Sequence, residues 1–129
     1  MRRQIKLFMV MVILMSLVAC AGFTKNTYRG IFLAGTSYDA AMKSVADLQG
    51  KGKITLAQRA EINKVANIYY VAYQVSVDAL YFYEQTKTQV AKDKVIFAIA
   101  TMVSKWSELA GYINRIVPGT LPEKLEGLQ

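Results

Sequence analysis

The chain has a single cysteine, Cys20, no histidine, and nine carboxylates, one of which, Asp78, sits inside the apolar stretch Val75-Ser76-Val77-Asp78-Ala79-Leu80. Without histidine, the commonest general base, the commonest metal ligand and the usual pH switch are missing. A buried, unpaired carboxylate at Asp78 would be costly. Asp78 is therefore expected to face solvent beside Tyr81; the alternatives are a Lys or Arg of another helix, or a tyrosine hydroxyl donating to it. One carboxylate with no second acid, base or nucleophile in place makes no active site, so no catalytic residue, metal site or cofactor is expected and the protein is read as a non-enzyme. Gly50-Lys51-Gly52-Lys53 superficially resembles a phosphate loop. No strand pattern precedes it, however, its glycine spacing is wrong, and Ile54 stands where Ser or Thr should follow the lysine.

The remaining reactive group is the Cys20 thiol, and its setting is informative. Residues Met1-Arg2-Arg3-Gln4-Ile5-Lys6 carry three positive charges, and the run from Leu7 to Ala19 has no charge and only Ser16 as a clearly polar residue. That is the layout of a signal peptide. As a helix the run covers only ~20 Å of a ~30 Å hydrocarbon core, short for a permanent span. It closes on Leu17-Val18-Ala19-Cys20, which resembles the lipobox of bacterial lipoproteins at all four positions.

The resemblance implies cleavage between Ala19 and Cys20, alkylation of the Cys20 sulfur by diacylglycerol, and often acylation of the new amino terminus. Two acyl chains suffice for stable anchoring. Acylation would consume the only thiol, leaving no disulfide and no cysteine metal site. Ala21 follows the cysteine in place of the Asp associated with inner-membrane retention in enterobacteria. The resemblance thus implies a lipid anchor in the bacterial outer membrane, facing the periplasm. A lone cysteine within an apolar helix is the alternative reading of Cys20.

Removal of residues 1–19 takes Arg2, Arg3 and Lys6 with it, and the formal charge falls from +7 to +4. Residues 20–129 suffice for one domain with one core. The basic residues are scattered over all the helical patterns, which argues against nucleic acid as a partner. Residues 20–27 read as a lipidated tether of at most ~25 Å. Lys25 and Arg29 would then lie near lipid head groups, although ordinary solvation accounts for two such charges.

An all-α fold is expected, a small antiparallel three-helix bundle over residues 28–117 with helices at about 28–49, 55–85 and 88–117. Ile31, Gly35, Tyr38, Met42 and Val45 mark one face of the first, capped by Asn26 or Thr27 and stopped by the Gly50–Lys53 loop. Gly35 implies either a closely approaching neighbour or a start at Thr36 or Ser37. Thr55-Leu56-Ala57-Gln58 is a capping box opening the second helix. Its stripe is Ile62, Val65, Tyr69, Tyr73 or Ala72, Ser76, Leu80 and Tyr83. Residues 84–94 are polar enough for a turn, with Thr86 or Thr88 as the next cap; without Gly or Pro a continuous helix is also open. Val95, Ile99, Met102, Trp106, Leu109, Ile113 and Ile116 form a regular bundle seam. After Pro118-Gly119, residues 118–129 read as a frayed or loosely docked tail.

The second helix carries more aromatic residues, Tyr69-Tyr70, Tyr73 and Tyr81-Phe82-Tyr83, than one helix can bury against two neighbours, because successive residues point about 100° apart. Tyr69, Tyr73 and Tyr83 fit the core, and so does Trp106. Tyr70 and Tyr81, off the stripe, with Asp78, are the candidate partner surface.

The expected function is contact: a membrane-anchored adaptor, structural element or inhibitor acting on an unidentified envelope protein. The alternatives are a carrier of a small apolar ligand between helices, which a pocket between the second and third helices would favour, and a phage- or prophage-type lipoprotein that modifies the envelope. Outer spanins are typically proline-rich, whereas both prolines here lie near the end. Cys20→Ser is expected to abolish acyl labelling and membrane retention; an unchanged membrane fraction with an uncut amino terminus would point to a membrane-embedded helix instead.

Overall fold

Two short connections set the topology. At the first, Gly52 takes a positive φ of 70°, and the backbone N–H groups of Lys51, Gly52 and Lys53 donate to the carbonyls of Asp47, Gln49 and Leu48. Those amides close the end of the preceding helix and are therefore not turned outward to an anion. At the second, Lys87 adopts a left-handed conformation and its N–H donates to the Tyr83 carbonyl, while the Thr88 hydroxyl accepts from the Ala91 N–H.

The computed structural model describes the backbone of residues 2–125 and the side chains of residues 22–125. It is an all-α bundle of three helices, α1 (Arg2–Gly50), α2 (Leu56–Thr86) and α3 (Gln89–Ile116), with no strand among the described residues. Thr55 caps α2, and the reciprocal bonds of the capping box are both formed, at 3.1 Å and 2.8 Å. Residues 84–94 hold a turn of two residues, Lys87 and Thr88, and not a continuous helix.

Cross-helix contacts establish the up-down-up order. Thr24 donates to Glu84 at one end of the α1–α2 pair, Tyr38 stacks on Tyr69 midway, and Arg59 donates to Gln49 at the other end. More of the α2 backbone lies close to α3 than to α1. Phe23 of α1 reaches α3, where the Lys92 ammonium lies 4.7 Å from its ring centre.

Three expectations are corrected. Residues 22–27 are not an extended tether: they belong to α1, which does not begin near residue 28. Phe23 packs edge-on against Tyr83 and Thr27 is buried, so contact with the α2–α3 end holds this segment in the helix. The inward face of α1 is also rotated from the expected one. Thr27, Ile31, Ala34, Ala41 and Val45 are buried, whereas Gly35, Tyr38 and Met42 are half-buried at the edge. Small side chains at Ala34 and Ala41 let α2 come close, and the larger residues flank that line. Gly35 serves the same approach: a Cβ there would lie 2.9 Å from the Tyr73 hydroxyl.

The described part of the tail is docked and not frayed. Asn114 donates to the Leu121 carbonyl and accepts from the Leu121 N–H, and Trp106 Nε1–H donates to the Pro122 carbonyl at 3.1 Å. Leu125 is 3% exposed within the main core. The side chains of Ala19 and Cys20, and with them the expected cleavage and acylation site, lie outside the described residues, as do residues 126–129. Among the described residues no helix is long and apolar enough to cross a membrane.

The core runs the length of the bundle in two clusters. One is centred on Tyr69, Met102, Trp106 and Leu109, the other on Ile31, Leu80, Tyr83 and Val95. Trp106 is 1% exposed and is the largest fully buried side chain. Trp106→Ala is expected to destabilise the fold by ~3–5 kcal/mol in chemical denaturation, by leaving a cavity and releasing the tail from its indole donor.

Candidate contact surfaces

α2 is central to the bundle, with α1 on one side and α3 on the other, and it presents apolar residues beyond both seams. Successive residues around position 81 show how. Tyr83 and Leu80 turn into the core, Tyr81 turns toward α1, and Phe82 turns toward the outer side of α3. Two separate surfaces result.

The first follows the α1–α2 seam and is rich in tyrosine. Gly35, Thr36, Tyr38, Asp39, Tyr70 and Tyr73 surround a hollow of about 310 Å³. Tyr28, Ile31, Val77, Leu80, Tyr81 and Glu84 surround a second hollow of about 310 Å³, and Phe32 and Tyr73 line both, which joins them into one strip. Three of its tyrosines pack on one another and on the core: the Tyr38 ring centre lies 5.6 Å from Tyr69 and 5.5 Å from Tyr70, and Tyr70 stacks on Tyr73 at 6.1 Å. Tyr81 is 67% exposed and Tyr70 39%. At the end of the strip the Glu84 carboxyl is held below its usual range by hydrogen bonds from Lys87 and Thr24. Burial, with the neighbouring Tyr70 and Asp39, raises the Tyr38 phenol above its usual range.

The second surface is a groove on the outer side of the α2–α3 pair, away from α1. It is open along its length and encloses about 1000 Å³. Ile68, Val71, Val75 and Phe82 of α2 face Val90 and Phe97 of α3 across it, and each of these side chains is about half exposed or more. Asp78, Asp93, Lys94 and Lys105 mark its charged positions. Lys105 pairs with Glu108 at 2.9 Å, and Asp93 accepts from Gln89 at 2.8 Å.

The three residues singled out from the sequence therefore do not form one surface. Tyr70 and Tyr81 share the α1–α2 strip, whereas Asp78 is exposed in the α2–α3 groove. Asp78 faces solvent as expected, but it lines the α2–α3 groove with Phe82, four residues on, and not the strip that Tyr81 lines. Sequence reasoning named Phe82 only within the aromatic run, without assigning it to a surface, and passed over Val90 and Phe97. Their signal was an apolar position on the polar side of a regular stripe, at Val71, Val75 and Phe82 on α2 and at Val90 and Phe97 on α3. No group of three or more His, Cys, Asp or Glu side chains suited to a metal occurs among the described residues. No protein-family model, curated protein or solved structure matches the chain.

Beneath the tyrosine strip, the buried Tyr69 hydroxyl donates to the Ala34 carbonyl at 3.0 Å. Burial, reinforced by Tyr73 and Tyr38, holds its phenol well above the usual range. Because the folded-state value is the higher one, the stability linked to Tyr69 is complete below pH ~10. Above that the unfolded chain ionises first, and stability falls by up to ~1.4 kcal/mol per pH unit from this one group. Urea unfolding at pH 9, 10 and 11 is expected to show the loss, with a shallower slope in Tyr69→Phe.

Proposed function

We propose that this chain is a non-enzymatic bacterial lipoprotein, anchored through Cys20 to the periplasmic face of the outer membrane, whose helical bundle acts by contact with another envelope protein. The observation that carries the contact reading is the α1–α2 strip. Its six aromatic side chains, Tyr28, Phe32, Tyr38, Tyr70, Tyr73 and Tyr81, border two adjoining hollows, and the rings of Tyr38, Tyr70 and Tyr73 pack on one another.

Ordered tyrosines bury large area at small entropic cost and keep a hydroxyl for hydrogen bonding, which suits a protein interface. The anchor is supported by the charge layout of residues 1–19 and the Leu17–Cys20 tetrapeptide. With residues 22–27 helical and packed on α2, the bundle starts within a few residues of that anchor. Its partner would accordingly lie in the membrane's immediate neighbourhood.

The α2–α3 groove supports a second reading, carriage of a small apolar ligand, because it lies between the two helices where such a ligand would rest. Ligand sites usually bury 70–90% of a small molecule's surface. A groove open along its whole length leaves much of a small ligand in water, and contact is the stronger reading.

A photoreactive residue at position 81 or 70 in intact cells is expected to capture a discrete envelope protein. The same residue at Leu56, exposed at the far end of the bundle, is expected to capture none. Equal capture at positions 81, 70 and 56 would overturn the strip as the contact surface.

A further inference from the structure

The hollow around Tyr38, Tyr70 and Tyr73 is built of rings and one charge. Those three rings and Phe32 line it together with a single carboxylate, Asp39, and the remaining lining residues, Gly35 and Thr36, are uncharged. No lysine or arginine lines either hollow of the strip, although the chain carries 16 of them against nine acidic residues.

Elsewhere in the bundle, cations do settle on rings and carboxylates. Lys87, Lys92, Lys94 and Arg115 lie between 4.7 and 5.7 Å from the ring centres of Tyr83, Phe23, Phe82 and Tyr112, none of which lines the strip. Asp47, Glu61, Glu84 and Glu108 each pair with a lysine three or four residues away. Asp39 forms no ion pair among the described residues, either with Lys43 one turn on or with any other cation. The hydroxyls of Tyr38, Tyr70 and Tyr73 likewise make no hydrogen bond within the chain among the described residues. Ring faces, phenol oxygens and a carboxylate thus converge on one hollow, and no cation of the chain answers them.

We propose that this hollow is a cation site, and that its ligand is a basic side chain, the guanidinium of an arginine, presented by the envelope protein that the strip contacts. Cations are drawn to the faces of aromatic rings. A guanidinium suits this lining better than an ammonium because it is planar, weakly hydrated and stacks on rings, while its five N–H donors can serve Asp39 and the tyrosine oxygens at once. An acidic partner would be repelled by Asp39, and a purely apolar one would leave it unpaired. The adjoining hollow offers no such site, since its one carboxylate, Glu84, is already held by Lys87 and Thr24. Only the source of the cation rests on the contact reading; the site itself stands on the lining of the hollow.

The test uses the acylated, full-length protein with isotope-labelled tyrosine rings, in micelles of an uncharged maltoside detergent. N-acetylarginine amide is expected to shift the magnetic resonance signals of Tyr38, Tyr70 and Tyr73 in a saturable way. Its neutral isostere, N-acetylcitrulline amide, is expected to bind roughly tenfold more weakly. Asp39→Asn, at an exposed position, is expected to keep its helicity by circular dichroism and to bind the arginine probe roughly fivefold more weakly, with citrulline unchanged. Asp47→Asn is expected to alter neither. Equal binding of the two probes, or an Asp39→Asn variant that binds arginine as the wild type does, would overturn the cation site.

In cells, Asp39→Arg puts a positive charge into the hollow and is expected to lower photocapture at position 81 about fivefold or more. Unchanged photocapture in that variant would overturn the assignment of the cation to the contacted protein. Absence of photocapture in the wild type, with arginine binding intact in micelles, would count against the contact reading and leave the cation site standing.

Discussion

The hydroxyl of Tyr69 reaches the Ala34 carbonyl across the α1–α2 interface while the Tyr69 ring meets Trp106 of α3 edge-on, at 5.4 Å between centres. All three helices are tied at this one side chain. A buried phenol needs a partner for its O–H, and the one it finds on α1 is backbone. That requirement sets how close α1 must come, and the approach is possible because Ala34 is small and Gly35 beside it leaves room for Tyr73. The rotation of α1, with Ala34 and Ala41 inward and Tyr38 at the edge, follows from the same contact. Tyr38 then rests its ring on Tyr69 and on Tyr70, and the outer tyrosines inherit their order from the buried one.

Trp106 performs a matching task on the opposite side. It fills the space between α2 and α3 below Tyr69, and its indole N–H reaches the Pro122 carbonyl of the segment after α3. An indole donor in the core has the same need for an acceptor as the phenol, and here the chain itself returns to supply one. The main core is thus closed at one end by residues 117–125, which carry Leu121 and Leu125 onto it.

Much of this was legible in the sequence, and what was not has identifiable causes. The Thr55–Gln58 capping box and the Thr88 cap are local chemistry, and local chemistry reads directly from a chain. The α3 stripe was equally clear, since Val95, Met102, Trp106, Leu109 and Ile113 recur at bundle spacing and are all buried. On α1 the stripe was misjudged by one position, because reading large apolar residues as the core favours Tyr38 and Met42 over Ala34 and Ala41. Closest approach between helices selects small side chains, and a size-based reading cannot see the partner that makes smallness necessary. Docking was one of two readings left open for the tail, but the contacts that make it were illegible for a related reason: Asn114 and Pro122 acquire their roles only when brought together, and nothing in their spacing announces it. Tyr70 and Tyr81 were separable from the core by helical phase alone. Asp78 was not assigned to its groove, because it lies between its nearest large neighbours, Tyr81 and Phe82, which are about 100° apart around α2 and line different surfaces.

That division of α2 has a consequence for how its two surfaces relate. The strip draws on Tyr70, Tyr73, Val77 and Tyr81, the groove on Ile68, Val71, Val75, Asp78 and Phe82, and no side chain is shared between the two sets. A bundle of three helices can bury only part of the apolar surface on a central helix whose aromatic residues point to every side; the surplus must appear at both seams.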